Sequence, residues 1–215
     1  AKNILALAKR SGVVVQVGHS ERFHAIWEMR GEFKEFFDSI GTIRLNRLGP
    51  FKGRATDVDV AQDLMIHDLD LLLWLFNERP KQVTSTGYKV RTDKWDYICS
   101  EFTYASGGKA IVTAGRNFVK EVRDMEISSS HGTLFIDLFA NEALLASGQA
   151  QTPDQYVVKK TYAKRDHLLL EHQKFYQSIQ ERISPVVSVD EGVAAVYLVE
   201  KVIQSLNERR PVDIE

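Results

Sequence analysis

The stretch from Asp63 to Phe76 constrains this chain more than any other. Its run of Leu, Ile, Met, Trp and Phe reads as a helix that is apolar nearly all round, and such helices are buried. Within it Asp63, His67 and Asp70 stand at i, i+4 and i+7, so a regular helix would place them on one stripe. A buried carboxylate or imidazole is costly unless it is partnered or used. Burial also shifts its pKa, and acid–base chemistry is found in such environments.

A second constraint is the run Val13-Val14-Val15-Gln16-Val17, which reads as a strand covered on both faces. Before it, Lys2 to Arg10 reads as the end of a helix stopped by Gly12. One such strand makes no parallel sheet, so residues 1–20 are expected to be the last helix and strand of a doubly wound domain. The chain is accordingly expected to be the C-terminal part of a longer protein.

Residues 21–215 read differently. Ile26, Met29, Phe33, Phe36 and Ile40 mark an amphipathic helix over about residues 24–38. A strand from Thr42 to Leu48 follows, with Ile43 and Leu45 facing one way, and then the buried helix from about 60 to 77. Strands are expected at Gln82–Val90, Tyr97–Tyr104, Lys109–Asn117, Arg123–Ser130, Thr133–Leu138, Leu144–Ala146 and Tyr156–Tyr162. Ala105-Ser106-Gly107-Gly108 is the clearest hairpin turn. A helix over about 166–182 should bury Leu168, Leu169, His172, Phe175, Tyr176 and Ile179. A last helix opens at the capping box Ser188-x-x-Glu191 and should bury Val196, Val199, Ile203 and Leu206. Strands following strands predict an α+β fold: an open, largely antiparallel or mixed sheet with helices on one face.

Charge excludes some functions. Lys and Arg number 28 against 29 Asp and Glu, which gives no electrostatic case for nucleic acid or an anionic membrane as partner. No apolar run reaches the ~20 residues of a spanning helix. The single Cys99 allows no internal disulfide, fits a reducing cytoplasm, and is expected to be a buried structural thiol.

The segments Val17-Gly18-His19-Ser20-Glu21-Arg22-Phe23 and Asp63-x-x-x-His67-Asp68, with Lys120–Ile127 and Gly132–Asp137 in order behind them, resemble the Gfo/Idh/MocA oxidoreductases. The likeness runs from about residue 1 to 210. It implies an NAD- or NADP-dependent dehydrogenase with a Rossmann domain, followed by an α/β domain that supplies substrate contacts and the oligomer interface. The glycine-rich phosphate loop and the Glu-Lys-Pro segment of that family are absent from these residues. The resemblance makes His67 the acid/base, with Asp63 one turn earlier orienting it or holding a substrate hydroxyl. It brings His19, Glu21 and Arg22 near the cofactor, with Arg22 also near the substrate.

Arg116 and Asn117, at a strand end, are candidate substrate contacts. Asp68 and Asp70 read as structural, and Lys120 and Arg123 as surface partners of Glu121 and Asp124. No metal ligand is expected. The implied partners are a sugar, polyol or nucleotide-sugar substrate and further copies of the chain, as a homodimer or homotetramer through the open sheet face. Two other readings compete: a metal-dependent hydrolase built on His67, Asp68, Asp63 and His172, and a non-catalytic dimerisation module.

Overall fold

A computed structural model describes residues 1–76, 78–149, 151–152 and 156–215. Among them, nine strands form a single sheet in the order β8-β7-β6-β5-β1-β4-β3-β2-β9. The strands are β1 (Ile40–Leu48), β2 (Gln82–Tyr88), β3 (Tyr97–Thr103), β4 (Lys109–Gly115), β5 (Val122–Ser129), β6 (Gly132–Asp137), β7 (Glu142–Ser147), β8 (Val157–Thr161) and β9 (Val212–Asp213). Adjacent strands in the sheet pair antiparallel with one exception. The exception is central: β1 lies between β4 and β5, parallel to the former and antiparallel to the latter. The strands expected between residues 42 and 162 and the turn at 105–108 are all present, β9 adds a short edge strand that was not expected, and the fold is α+β with an open, largely antiparallel sheet.

Alternation along the strands decides which face is covered. Ile43 and Leu45 of β1, Ile98 and Phe102 of β3, Val112 of β4, and Met125 and Ile127 of β5 are fully buried. Against this face pack α3 (Ile66–Leu75) and α5 (Val189–Glu208). Leu69, Leu71, Leu72 and Leu75 of α3 are completely buried, each contributing about 1.5–3 kcal/mol by burial. The alternate positions, among them Cys99, Ile111, Phe135 and Leu144, stay half-exposed on the other face. Cys99 is therefore not the sealed core thiol expected. It stands half-exposed beside Thr113.

Several expectations change. Helix α1 (Lys2–Ser11) ends at Gly12 in the left-handed conformation, as predicted. Val13–Val17, however, forms no ladder. Its pairing with another segment is limited to a single bridge from Gln16 to Ser188, with a bond from Val17 N–H to the Val187 carbonyl, and Val13 is 60% exposed. A strand is stabilised by a neighbouring backbone, and here only the loop at 187–188 is in reach.

The helix expected over 24–38 is a 3₁₀ segment, Ala25–Phe33, followed by the short α2 (Lys34–Asp38). The buried helix begins with a π-turn, Ala61–Met65, before α3. Asn77, at its expected end, lies outside the described residues. Helix α4 (His167–Glu181) faces the opposite way from the prediction. Leu168, Leu169, His172, Tyr176 and Ile179 are exposed, and the buried positions are Glu171 and Ser178. In α5, Val199 and Leu206 are buried as expected, while Val196 and Ile203 are only half-buried.

Candidate active site

Two arginines occupy inward strand positions. Arg47 continues the alternation of Ile43 and Leu45, and Arg123 that of Met125 and Ile127. Across β1 and β5 they are direct register partners. Arg47 makes a two-pronged ion pair with Asp68 of α3, Nε and Nη2 both 2.8 Å from the carboxylate. Glu21, in the 3₁₀ turn Ser20–Phe23, accepts through Oε1 from Arg47 at 3.1 Å and from Arg123 at 2.8 Å. Burial pushes the Glu21 carboxyl up, but the two guanidiniums outweigh it and hold it at about 2. Arg123 therefore turns inward rather than pairing on the surface, and Glu121 pairs with Lys52 instead.

A second buried pairing lies one helical step on. Arg22 grips Asp70 through Nε (2.7 Å) and Nη2 (2.6 Å), and Nη1 reaches Glu191 at 2.5 Å. Glu191 is also the carboxylate of the α5 capping box, bonded to the Ser188 N–H at 2.7 Å. Removing one partner from a buried pair costs about 3–5 kcal/mol, so these contacts pin residues 21–22 to α3 and α5.

Between the two pairings His67 of α3 meets His19. Their Nδ1 atoms are 3.4 Å apart and the rings meet edge-to-face. Burial, reinforced by Arg47 and His19, lowers the pKa of His67 to about 4. At neutral pH the ring is therefore uncharged and able to accept a proton. Its Nε2 has no hydrogen-bond partner among the described residues and is not sealed in the interior.

Asp63 lies within the π-turn Ala61–Met65. A π-turn closes i→i+5 rather than i→i+4, so it rotates the residues before it relative to the helix that follows, and such turns recur at functional sites. Asp63 lines a pocket of about 80 Å³ together with Arg47, Leu48, Lys52, Arg116 and Arg123. Its carboxylate lies 3.9 Å from Arg54.

The remaining predicted residues have mainly internal partners. Arg22 and Glu21 are held by the ion pairs above. Arg116 binds Asp96, the Ala55 carbonyl and Thr92, fixing the loop before β3. Asn117 is exposed and accepts from Arg91. Asp68 and Asp70 are engaged by Arg47 and Arg22, the basic partners described above. The residues that sequence reading missed are Arg47 and the inward role of Arg123. Their parity with buried apolar neighbours was the signal that could have shown them.

The GFO/IDH/MocA C-terminal domain profile matches residues 26–135. A UDP-N-acetylglucosamine 3-dehydrogenase from Acidithiobacillus ferrooxidans is 32% identical over 184 residues, covering 83% of this chain and 58% of that protein. A solved structure of the UDP-N-acetylglucosamine 3-dehydrogenase from that organism superposes with a TM-score of 0.85 at 27% identity, over 96% of this chain and 66% of that one. Scyllo-inositol dehydrogenase from Lactobacillus casei, solved with NAD(H) and scyllo-inositol, shares the fold at a TM-score of 0.73 and 18% identity, over 96% of this chain and 66% of its own. The chain thus spans less than two thirds of the length of these relatives.

Proposed function

This chain belongs to the Gfo/Idh/MocA family, and on that premise we propose that it is the substrate-bearing part of a nicotinamide-dependent oxidoreductase with His67 as the acid/base. The reaction moves a hydride between NAD or NADP and a carbinol carbon of a sugar, polyol or nucleotide sugar. The observation that supports it is a buried, neutral imidazole with one ring nitrogen tethered and the other open. Oxidising a carbinol requires that the hydroxyl proton leave as the C–H bond breaks, and a neutral imidazole accepts it. The nicotinamide, when bound, takes up the hydride.

The fit of these residues to that cofactor rests on backbone more than on side chains. Gly18 is exposed just before His19, and a planar group can approach a backbone that carries no Cβ. Glu21 and Arg22, engaged by their ion pairs, act by holding this segment in place. Asp63 stands in a pocket rich in cations, where it suits a substrate hydroxyl while the arginines and Lys52 suit an anionic substituent. The uncovered sheet face, with Ile111, Phe135 and Leu144, supports pairing with a second copy.

The competing hydrolase reading loses Asp68, whose two oxygens are bound by Arg47. Among the described residues no helix is long and apolar enough to cross a membrane.

The test is dinucleotide reduction with a panel of sugars, inositols and nucleotide sugars. The His67→Ala variant should lose about 10²–10⁴-fold in kcat. Turnover equal to the parent overturns the assignment.

A further inference from the structure

His19 and His67 face each other through the same ring nitrogen, Nδ1 to Nδ1 at 3.4 Å. Burial lowers the pKa of both rings, so near pH 7 each is neutral and carries one N–H. Two neutral imidazoles can share that contact in only one way at a time: one donates and the other accepts. Whichever does so fixes the tautomer of both.

The far nitrogens decide the direction. Nε2 of His19 is buried and has no hydrogen-bond partner among the described residues. It lies 3.9 Å from Oδ1 of Asp70, whose carboxylate is held by Arg22. A proton on that Nε2 faces a negative oxygen and is attracted; a lone pair there is repelled. His19 therefore keeps its proton on Nε2 and offers Nδ1 as the acceptor. His67 donates from Nδ1, and its own lone pair is left on Nε2, the nitrogen that is open.

We propose that Asp70 and His19 form a positioning relay that holds His67 in the Nδ1–H tautomer and so makes Nε2 its proton acceptor. The proposal rests on the reading of His67 as the base and names the device behind it. In the reaction, the substrate O–H bond breaks and its proton passes to Nε2, while the C–H electron pair leaves as hydride to the nicotinamide. The imidazolium so formed donates more strongly to His19, and the Glu21 carboxylate favours its charge. The logic is that of any carboxylate acting through an imidazole: the carboxylate sets a tautomer and is not itself protonated. Arg47, Glu21 and Arg123 surround His67, and Arg22, Glu191 and Arg47 surround His19. The flanking cations oppose a resting positive charge on either ring and keep the pair neutral until substrate supplies a proton.

Two-bond ¹⁵N–¹H spectra of the histidine-labelled protein at pH 7 read the tautomer directly. The parent should show His67 protonated on Nδ1 with a bare Nε2. His19→Phe should lose that preference, and His19→Asn, whose carbonyl oxygen can still accept, should restore it. A parent protein with the His67 proton on Nε2 overturns the relay, and so does a His19→Phe protein that keeps the Nδ1–H signature. Undiminished turnover by His67→Ala would overturn the proposed reaction instead, and the tautomer spectra would be unaffected by that result.

Discussion

Arg47 and Arg123 stand directly opposite each other across β1 and β5, and one oxygen of Glu21 accepts a hydrogen bond from each. Like charges in register repel, so a carboxylate between them is what makes the arrangement tenable. That carboxylate belongs to the 19–22 segment, which also carries the partner of His67.

Glu21→Gln should therefore destabilise the protein by about 3–5 kcal/mol, because it leaves two arginines facing each other partly buried. Urea unfolding at pH 7 measures this. Glu21 also predicts an acid limb. Its native pKa, about 2, lies below its unfolded value, so its contribution is present above about pH 4.5 and is lost as the pH falls toward 2. That part of the stability profile should be flat in Glu21→Gln.

His24 and His67 give a second limb at higher pH. Burial, with the neighbouring His167 adding to it, lowers His24 to about 4, the same value as His67. Both groups bind protons more readily unfolded than folded. Stability should fall as the pH drops from about 6.5 to 4, and His24→Phe should remove roughly one proton from the slope. Denaturant midpoints across that range test it. An unchanged slope would mean that His24, which contacts the Leu138 carbonyl at 3.2 Å, is not held neutral by the fold.

Gly192 in α5 lies against Val17, and a Cβ there would come within 2.6 Å of a Val17 methyl. Replacing a helical glycine by alanine ordinarily gains about 1 kcal/mol. Here overpacking should cost about 1–3 kcal/mol. Gly192→Ala should lower the melting temperature, and Val17→Ala added to it should bring the temperature back up. Because Val17 is two residues from His19, the single variant should also weaken the His67 tautomer signature.

Arg182 ends α4 in the left-handed region, with φ 53 and ψ 42. The strain on a residue with a Cβ is relieved by glycine at such a position. Arg182→Gly should stabilise by about 1 kcal/mol in urea unfolding, whereas Arg182→Val should destabilise.

What the sequence determined by itself was whatever depends on local periodicity. Strands β1 to β8, the turn at 105–108, the Ser188 capping box and the burial of the 66–75 helix all follow from spacing and side-chain type. So does the demand that His67 have a partner or a use, since a titratable ring in an apolar helix is costly without one.

Only the tertiary structure decided orientation and pairing. The apolar stripe of α4 points outward because Glu171 and Ser178 are the side turned to the residues around 16–23, and periodicity cannot tell one face of a helix from the other. The valines at 13–17 form no ladder because a strand exists only with a neighbour, and here a single bridge is all that forms. Asp63 lies in a π-turn, a change of winding that residue spacing does not announce. His19 lies 48 residues from His67 in the chain, and their contact depends on Arg22 and Glu21 finding carboxylate and guanidinium partners on α3, α5, β1 and β5.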